Sequence, residues 1–233
     1  MWTEYLNRLL GVTVGFLILA TAISAWRHHR HNPRILWTTI VAFVLVGFEG
    51  WLGGVVVAHE LASWIVTAHL IVTIIIVQLL LYATFASFDT GAPGTRPLGL
   101  AYLGLIALTL VQAGFGTQVR GGVDAALDAS VARDAALATV GQVDYLHRDL
   151  AFAVMIVATV LTLRLLSRRS PLVPWAFVVL ALGLLQIGLG AAMAYGSLLP
   201  VAQVGHLTLA SLLLGAETVL WLMSRRAGTA AQI

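Results

Sequence analysis

Seven long apolar runs divide this chain, at roughly 5–26, 35–58, 62–87, 97–117, 144–166, 172–196 and 200–223, and polar residues gather in the gaps between them. A helix needs about 20 apolar residues to cross the hydrocarbon core of a bilayer. Each run has that length and is too uniformly apolar for the alternating faces of a barrel strand. The pattern predicts an all-α integral membrane protein with seven transmembrane helices. The longest gap, about 118–143, carries Asp124, Asp128 and Asp134 among many alanines, and predicts a short surface helix or a mobile loop. Pro171, Pro174 and Pro200 fall where spans begin, positions at which the missing proline N–H costs little.

The gaps alternate in charge. Arg27, Arg30, Arg34, Arg96, Arg164, Arg168, Arg169, Arg225 and Arg226 fall on one side, while Arg8, Arg120, Arg133 and Arg148 fall on the other. Arginine-rich loops stay in the cytoplasm. The expected topology therefore places the N-terminus outside and the C-terminus inside a cell inner (plasma) membrane. Met1 to Arg8 has no basic n-region and no A-x-A-like site follows, so a cleaved signal is not expected; residue 1 reads as the true start, or as a start that has lost an upstream segment.

Composition supports the same class. Hydrophobic residues make up 60% of the 233, charged residues only 10%, and the mean hydropathy is +0.94. A soluble domain carries about 25% charged residues. The chain has no cysteine, which removes disulfides, thiolate metal sites and cysteine nucleophiles. Its pI near 9.8 comes from arginine alone. No basic stripe with interleaved aromatics accompanies it, so nucleic acid is not an expected partner.

The chain also repeats itself. Glu4-Tyr5-Leu6-Asn7-Arg8 matches Asp144-Tyr145-Leu146-His147-Arg148 at an offset of 140. Glu49-Gly50-Trp51-Leu52-Gly53 matches Gln186-Ile187-Gly188-Leu189-Gly190, and Ala68-His69-Leu70 matches Gly205-His206-Leu207, both at an offset of 137. The copies run in the same direction, which predicts a parallel repeat about an axis along the membrane normal. Two pseudo-repeated bundles of three or four helices, 1–88 and 97–233, are expected side by side.

Seven histidines offer candidate chemistry. His28, His29 and His31 belong to an arginine-rich loop that sets orientation, and His59 sits in a short outer turn. His69, His147 and His206 lie inside apolar spans, where an ionisable residue is costly and usually functional. Counted at about 1.5 Å per residue, all three stand within one helical turn of the same depth in the outer leaflet. Histidines facing each other across a bundle suit axial ligation of haem iron. A bare metal site would need three or four clustered ligands. Arg8 and Arg148 follow Asn7 and His147, and either snorkel to the interface or pair with haem propionates. Gly53, Gly54, Gly188 and Gly190 permit close helix contact or leave room for a flat macrocycle. Glu49 and Glu217 read as proton-relay groups or as protonated acids at a helix contact.

With these residues assembled, the chain resembles the heme A synthase family over most of its length. The motifs are Asp144-Tyr145-Leu146-His147-Arg148, Gln186 with Leu189-Gly190, and Gly205-His206-Leu207 in the second half; Glu4-Tyr5-Leu6-Asn7-Arg8, Leu52-Gly53-Gly54 and Ala68-His69-Leu70 in the first; and Gly116-Thr117-Gln118-Val119-Arg120 after span four. The resemblance implies two parallel four-helix halves and oxidation of a haem O ring methyl to the formyl group of haem A. It implies haem b between His147 and His206, substrate haem on His69, and Glu4 at the family's catalytic position. Arg8, Arg120, Arg148 and Asn7 become the remaining cofactor-binding candidates. Expected partners are the lipid bilayer and haem, with a second copy, a haem O synthase or terminal oxidase subunits as protein partners.

The chain departs from the family pattern at three points. Asn7 stands where the family has histidine, the helix that should precede Glu4 is missing, and the loop cysteines are absent. An open iron site beside a desolvated Glu4, one helical turn from Asn7, still provides an acid/base group. The alternatives are a b-type membrane cytochrome, a non-catalytic haem-binding subunit of a respiratory complex, or a transporter with structural histidines.

Overall fold

The computed structural model describes residues 2–59, 63–88, 98–196 and 198–225, without the side chains of residues 3, 4, 63 and 200. Arg96, Arg226 and the Glu4 side chain lie outside that description. The elements are α1 (Trp2–His28), α2 (Pro33–Ala58), α3 (Ser63–Ser87), α4 (Gly99–Asp128), α5 (Arg133–Ala136), α6 (Gln142–Ser167), α7 (Val173–Tyr195) and α8 (Pro200–Arg225). Seven of them are long and apolar enough to cross a membrane, and no strand occurs among the described residues. The all-α architecture with seven spans is thus present as the pattern predicts.

Local chemistry explains why these stretches are helical. Pro33 opens α2 and Pro174 sits in the first turn of α7, where a missing N–H breaks no bond. Several threonines within the spans bond to their own helix. Thr13 donates to the Leu9 carbonyl and Thr21 to the Leu17 carbonyl, each at 2.8 Å, and Thr162 does the same to Ala158. A hydroxyl bonded to its own helix adds little cost in lipid.

One boundary differs from the expectation. Helix α4 continues to Asp128, eleven residues beyond the predicted end at 117. Apolarity falls after Gly116, but one face persists: Val123 and Ala126 pack with Ala136 and Leu198. Arg120 and Asp124, 3.4 Å apart at i and i+4, support the exposed side. The rest of the gap holds α5 and a 3-10 turn, Leu137–Thr139. Gly141 then precedes α6 with φ 68° and ψ −133°, a conformation that only glycine adopts readily.

The helices divide into two compact units, Met1–Asp89 and Thr90–Ile233. In unit 1, α2 packs against both α1 and α3. Ile18, Ala42 and Ile76 form one buried layer, and Leu52, Val56 and Ile65 another. In unit 2, α4, α6, α7 and α8 close a ring, each packed on two of the others. Its core holds Tyr102, Leu105, Leu161, Leu165, Leu172 and Leu220, with Ala158 and Ala176 letting backbones approach. Glu217 is fully buried there, accepting a hydrogen bond from Thr109 at 2.9 Å.

Candidate functional site

Each of the three intramembrane histidines rests against a glycine of a neighbouring helix. A Cβ added to Gly53 of α2 would stand 3.6 Å from Cε1 of His69 on α3. A Cβ on Gly190 of α7 would stand 3.2 Å from Cε1 of His206 on α8. These two seats are related by the same 137-residue offset seen in the sequence. The third seat is tighter: a Cβ on Gly116 of α4 would meet Cε1 of His147 on α6 at 2.9 Å.

Within unit 2 the seats bring two imidazoles together. The ring centres of His147 and His206 are 6.4 Å apart, with planes inclined by 61°. Both rings line a cavity of about 300 Å³ together with Gln112, Asp144, Arg148 and Gln186. Phe152, Ile187, Ala191 and Leu198 supply its apolar wall. Ligand clefts with few polar groups on a mostly apolar lining have volumes of roughly 300–1,000 Å³.

Gln112 fixes the His147 ring. Nδ1 of His147 lies 3.0 Å from the Gln112 carbonyl, which can only accept, so Nδ1 carries the hydrogen. Nε2 is then the nitrogen with the free lone pair. The Gln112 side-chain amide sits beside the same ring edge, 3.2 Å from Nδ1 and 3.3 Å from Nε2. Gln112 and Gly116 are four residues apart on α4, so they present to His147 from one helix face.

Arg148 forks onto Asp144 of its own helix. Its Nη2 is 2.6 Å from Oδ2 and its Nε 3.0 Å from Oδ1. Two of a guanidinium's five N–H donors are thereby committed and three remain. Arg120 pairs with Asp124 at the exposed end of α4. Asn7 and Arg8 are exposed positions on α1.

His69, in unit 1, has different company. Its Nδ1 lies 3.1 Å from Oε1 of Glu49 on α2. Thr73, one turn further along α3, donates its hydroxyl to the same Oε1. At the repeat-related place in unit 2, Gln186 stands in the position of Glu49, and both its Oε1 and Nδ1 of His206 are buried without an aligned partner. Gln112 and the Glu49–His69 contact are the two features that sequence reasoning missed. A glutamine inside an apolar helix, one turn before a glycine, was the available signal for the first.

The unit 2 residues fit a haem. Two imidazoles bound to opposite faces of one metal ion, with metal–nitrogen bonds of about 2.0–2.1 Å and half a ring at each end, place their centres roughly 6 Å apart. The observed 6.4 Å agrees. Among the described residues no three His, Asp or Glu side chains converge as a bare metal site would require. Gly190→Val should therefore displace the His206 ring through its seat. The expected result is roughly 10–100-fold weaker haem retention, the range found when groups that orient a ligand are changed. Soret absorbance of the purified variant checks this, and full retention would show that the seat does not matter.

Comparison with known proteins gives the chain a family. The family described as cytochrome oxidase assembly protein matches residues 1–218. A protein named heme A synthase from Granulibacter bethesdensis is 25% identical over 136 residues, covering 53% of this chain and 36% of that protein. Another heme A synthase, from Bartonella tribocorum, is 26% identical over 129 residues, 52% of this chain and 36% of that protein. The matched stretch thus spans little more than a third of either relative. No solved structure matches.

Proposed function

The chain belongs to the family of cytochrome oxidase assembly proteins, and from that premise we propose that it is a haem-binding membrane oxidoreductase of the heme A synthase type. The observation that carries the haem-binding part is the His147–His206 pair, 6.4 Å apart on the wall of one cavity. Two relatives are named heme A synthase, and the reaction that the resemblance to that family implies is oxidation of a haem O ring methyl to the formyl group of haem A.

In this reading His147 and His206 hold a resident haem b. That group, when bound, supplies one-electron transfer. Gln112 holds the His147 ring in the tautomer that leaves Nε2 available, and Gly116 and Gly190 hold the two rings from behind. Arg148 keeps three donors for an acidic substituent of the macrocycle, with Asp144 fixing its fork. His69 takes the substrate haem in unit 1, Asn7 stands where a second axial ligand would, and Arg8 and Arg120 are further partners for acidic groups. Oxidising a methyl to a formyl group takes an oxygen atom, formally R–CH3 + H2O giving R–CHO, four protons and four electrons; the electrons go to an external oxidant of the dioxygen class, and Glu4 is the candidate that relays the protons one at a time.

The test is the haem content of the purified protein, made in cells that also produce haem O. Haem A is expected alongside haem b after extraction and reverse-phase separation. In Glu4→Ala, haem A should vanish while haem b stays. Haem b alone in the parent protein would refute the synthase reading, and no haem at all would refute haem binding.

The same reading places the arginine-rich loops in the cytoplasm and the α4–α6 connection outside, in the plasma membrane. The chain has no native cysteine, so single cysteines report cleanly. Ala135→Cys should react with an impermeant maleimide on intact spheroplasts, and His29→Cys only after lysis. The opposite pattern would invert the topology.

A further inference from the structure

The repeat makes the two units comparable position by position, and at one position they disagree chemically. Behind His206 stands Gln186, whose buried Oε1 makes no hydrogen bond. Behind His69 stands Glu49, whose Oε1 receives the Thr73 hydroxyl and lies 3.1 Å from Nδ1 of His69. That Nδ1 is buried and makes no aligned hydrogen bond among the described residues, the Glu49 oxygen at 3.1 Å being the acceptor near it. The oxygen is acting as an acceptor, since a threonine hydroxyl already points its hydrogen at it.

We propose that Glu49 is the positioning residue of His69. Its Oε1 takes the Nδ1 hydrogen, fixes the ring tautomer, and leaves Nε2 as the nitrogen that binds iron. A side-chain oxygen on the far nitrogen makes an imidazole a more basic and more electron-donating ligand. The site of unit 1 thereby acquires a stronger donor than His206, whose Nδ1 has no side-chain acceptor. Thr73 is part of the device: by occupying Oε1 from one side it holds the carboxyl in the plane from which it meets His69. Gly53 completes it, because the ring lies against that glycine at carbon contact. This rests on the reading that unit 1 takes a haem through His69. The two sites then differ by construction. Unit 2 brings two histidines to one cavity. Unit 1 offers His69, with Asn7 at the place repeat-related to His147.

The experiment uses the full chain in detergent, stripped of haem and titrated with haemin. Wild type should take up two equivalents. One becomes low-spin and six-coordinate; the other, after reduction, is five-coordinate and shows an iron–histidine stretch in resonance Raman spectra. Glu49→Leu removes the acceptor and should weaken only the second equivalent, by about 10–100-fold. Glu49→Gln keeps an acceptor oxygen but reproduces the residue of unit 2. It should retain both equivalents and move the iron–histidine stretch to lower frequency. The low-spin equivalent serves as the internal measure of folding in both variants. If both variants bind two equivalents as wild type does and the stretch stays in place, Glu49 is only a helix contact and the proposal is overturned. If wild type takes up a single equivalent and His69→Ala changes nothing, the haem reading of unit 1 fails, and this proposal with it.

Discussion

If the chain holds haem as proposed, His206→Ala is expected to remove the low-spin haem from the purified chain, and His147→Ala to do the same. Groups that merely orient a ligand are worth roughly 10–100-fold in affinity, so loss of the ligand itself should exceed about 100-fold. His147 and His206 are the two histidines lining the cavity, and the other polar side chains on its lining are Gln112, Gln186, Tyr195 and the Asp144–Arg148 pair. Tyr195 is 85% exposed. An amide is a poor iron ligand, and Asp144 is engaged by Arg148 at 2.6 Å. Gln112→Ala should cost far less, because the acceptor that fixes the ring is the Gln112 backbone carbonyl, which alanine keeps, and only the side-chain amide beside the ring is lost. The reduced-minus-oxidised spectrum reads all three. An undiminished low-spin band in His206→Ala would mean that the pair is not the ligand set.

Tyr102→Ala is expected to destabilise unit 2 more than any other single truncation of its core. Tyr102 is 1% exposed and packs among Leu98, Leu105, Leu161, Leu165 and Leu220. Removing a buried aromatic ring costs about 3–5 kcal/mol in a water-soluble core. In a bilayer the unfolded reference is already in hydrocarbon, so the transfer part largely disappears and the packing part remains. The expected loss is therefore about 2–3 kcal/mol, on the order of 5–10 °C in Tm for a domain of this size. Tyr102→Phe is the control. The tyrosine hydroxyl is buried without a hydrogen-bond partner, so deleting it should leave Tm unchanged or raise it. Thermal unfolding in detergent measures both. A Tyr102→Phe variant as unstable as Tyr102→Ala would show that the hydroxyl, and not the ring, holds the helices.

The spans were legible because a bilayer filters for length and apolarity, and both are written residue by residue. The end of α4 was not, since its continuation rests on Val123 and Ala126 meeting Ala136 and Leu198, partners that only the fold supplies. His147 and His206 could be singled out because a charged or polar ring in a membrane needs a reason. Their approach to 6.4 Å could not be read from spacing, because it depends on how α6 and α8 pack in the ring. Gln112 escaped for a related reason. Polar residues inside helices usually serve their own backbone, as Thr13 and Thr21 do here, and nothing local distinguishes one that reaches across. Glu49 was visible as the counterpart of Gln186, but its contact with His69 is created by the packing of α2 on α3. Glu4 remains an expectation from the sequence, since its side chain lies outside the described residues.

Gly141 marks where the chain enters the helix that carries His147. Side chains leave a helix at intervals of about 100°, so the way His147 faces follows from the phase in which α6 packs. Gly141 begins it with a backbone turn at φ 68° that a Cβ would oppose. The phase is held along α6 by Val154, Ala158, Leu161 and Leu165 in the unit 2 core, and His147, about two turns before Val154, meets Gly116 in that same phase. Gly141 lets the chain turn into α6 at a point where a residue with a Cβ would be strained.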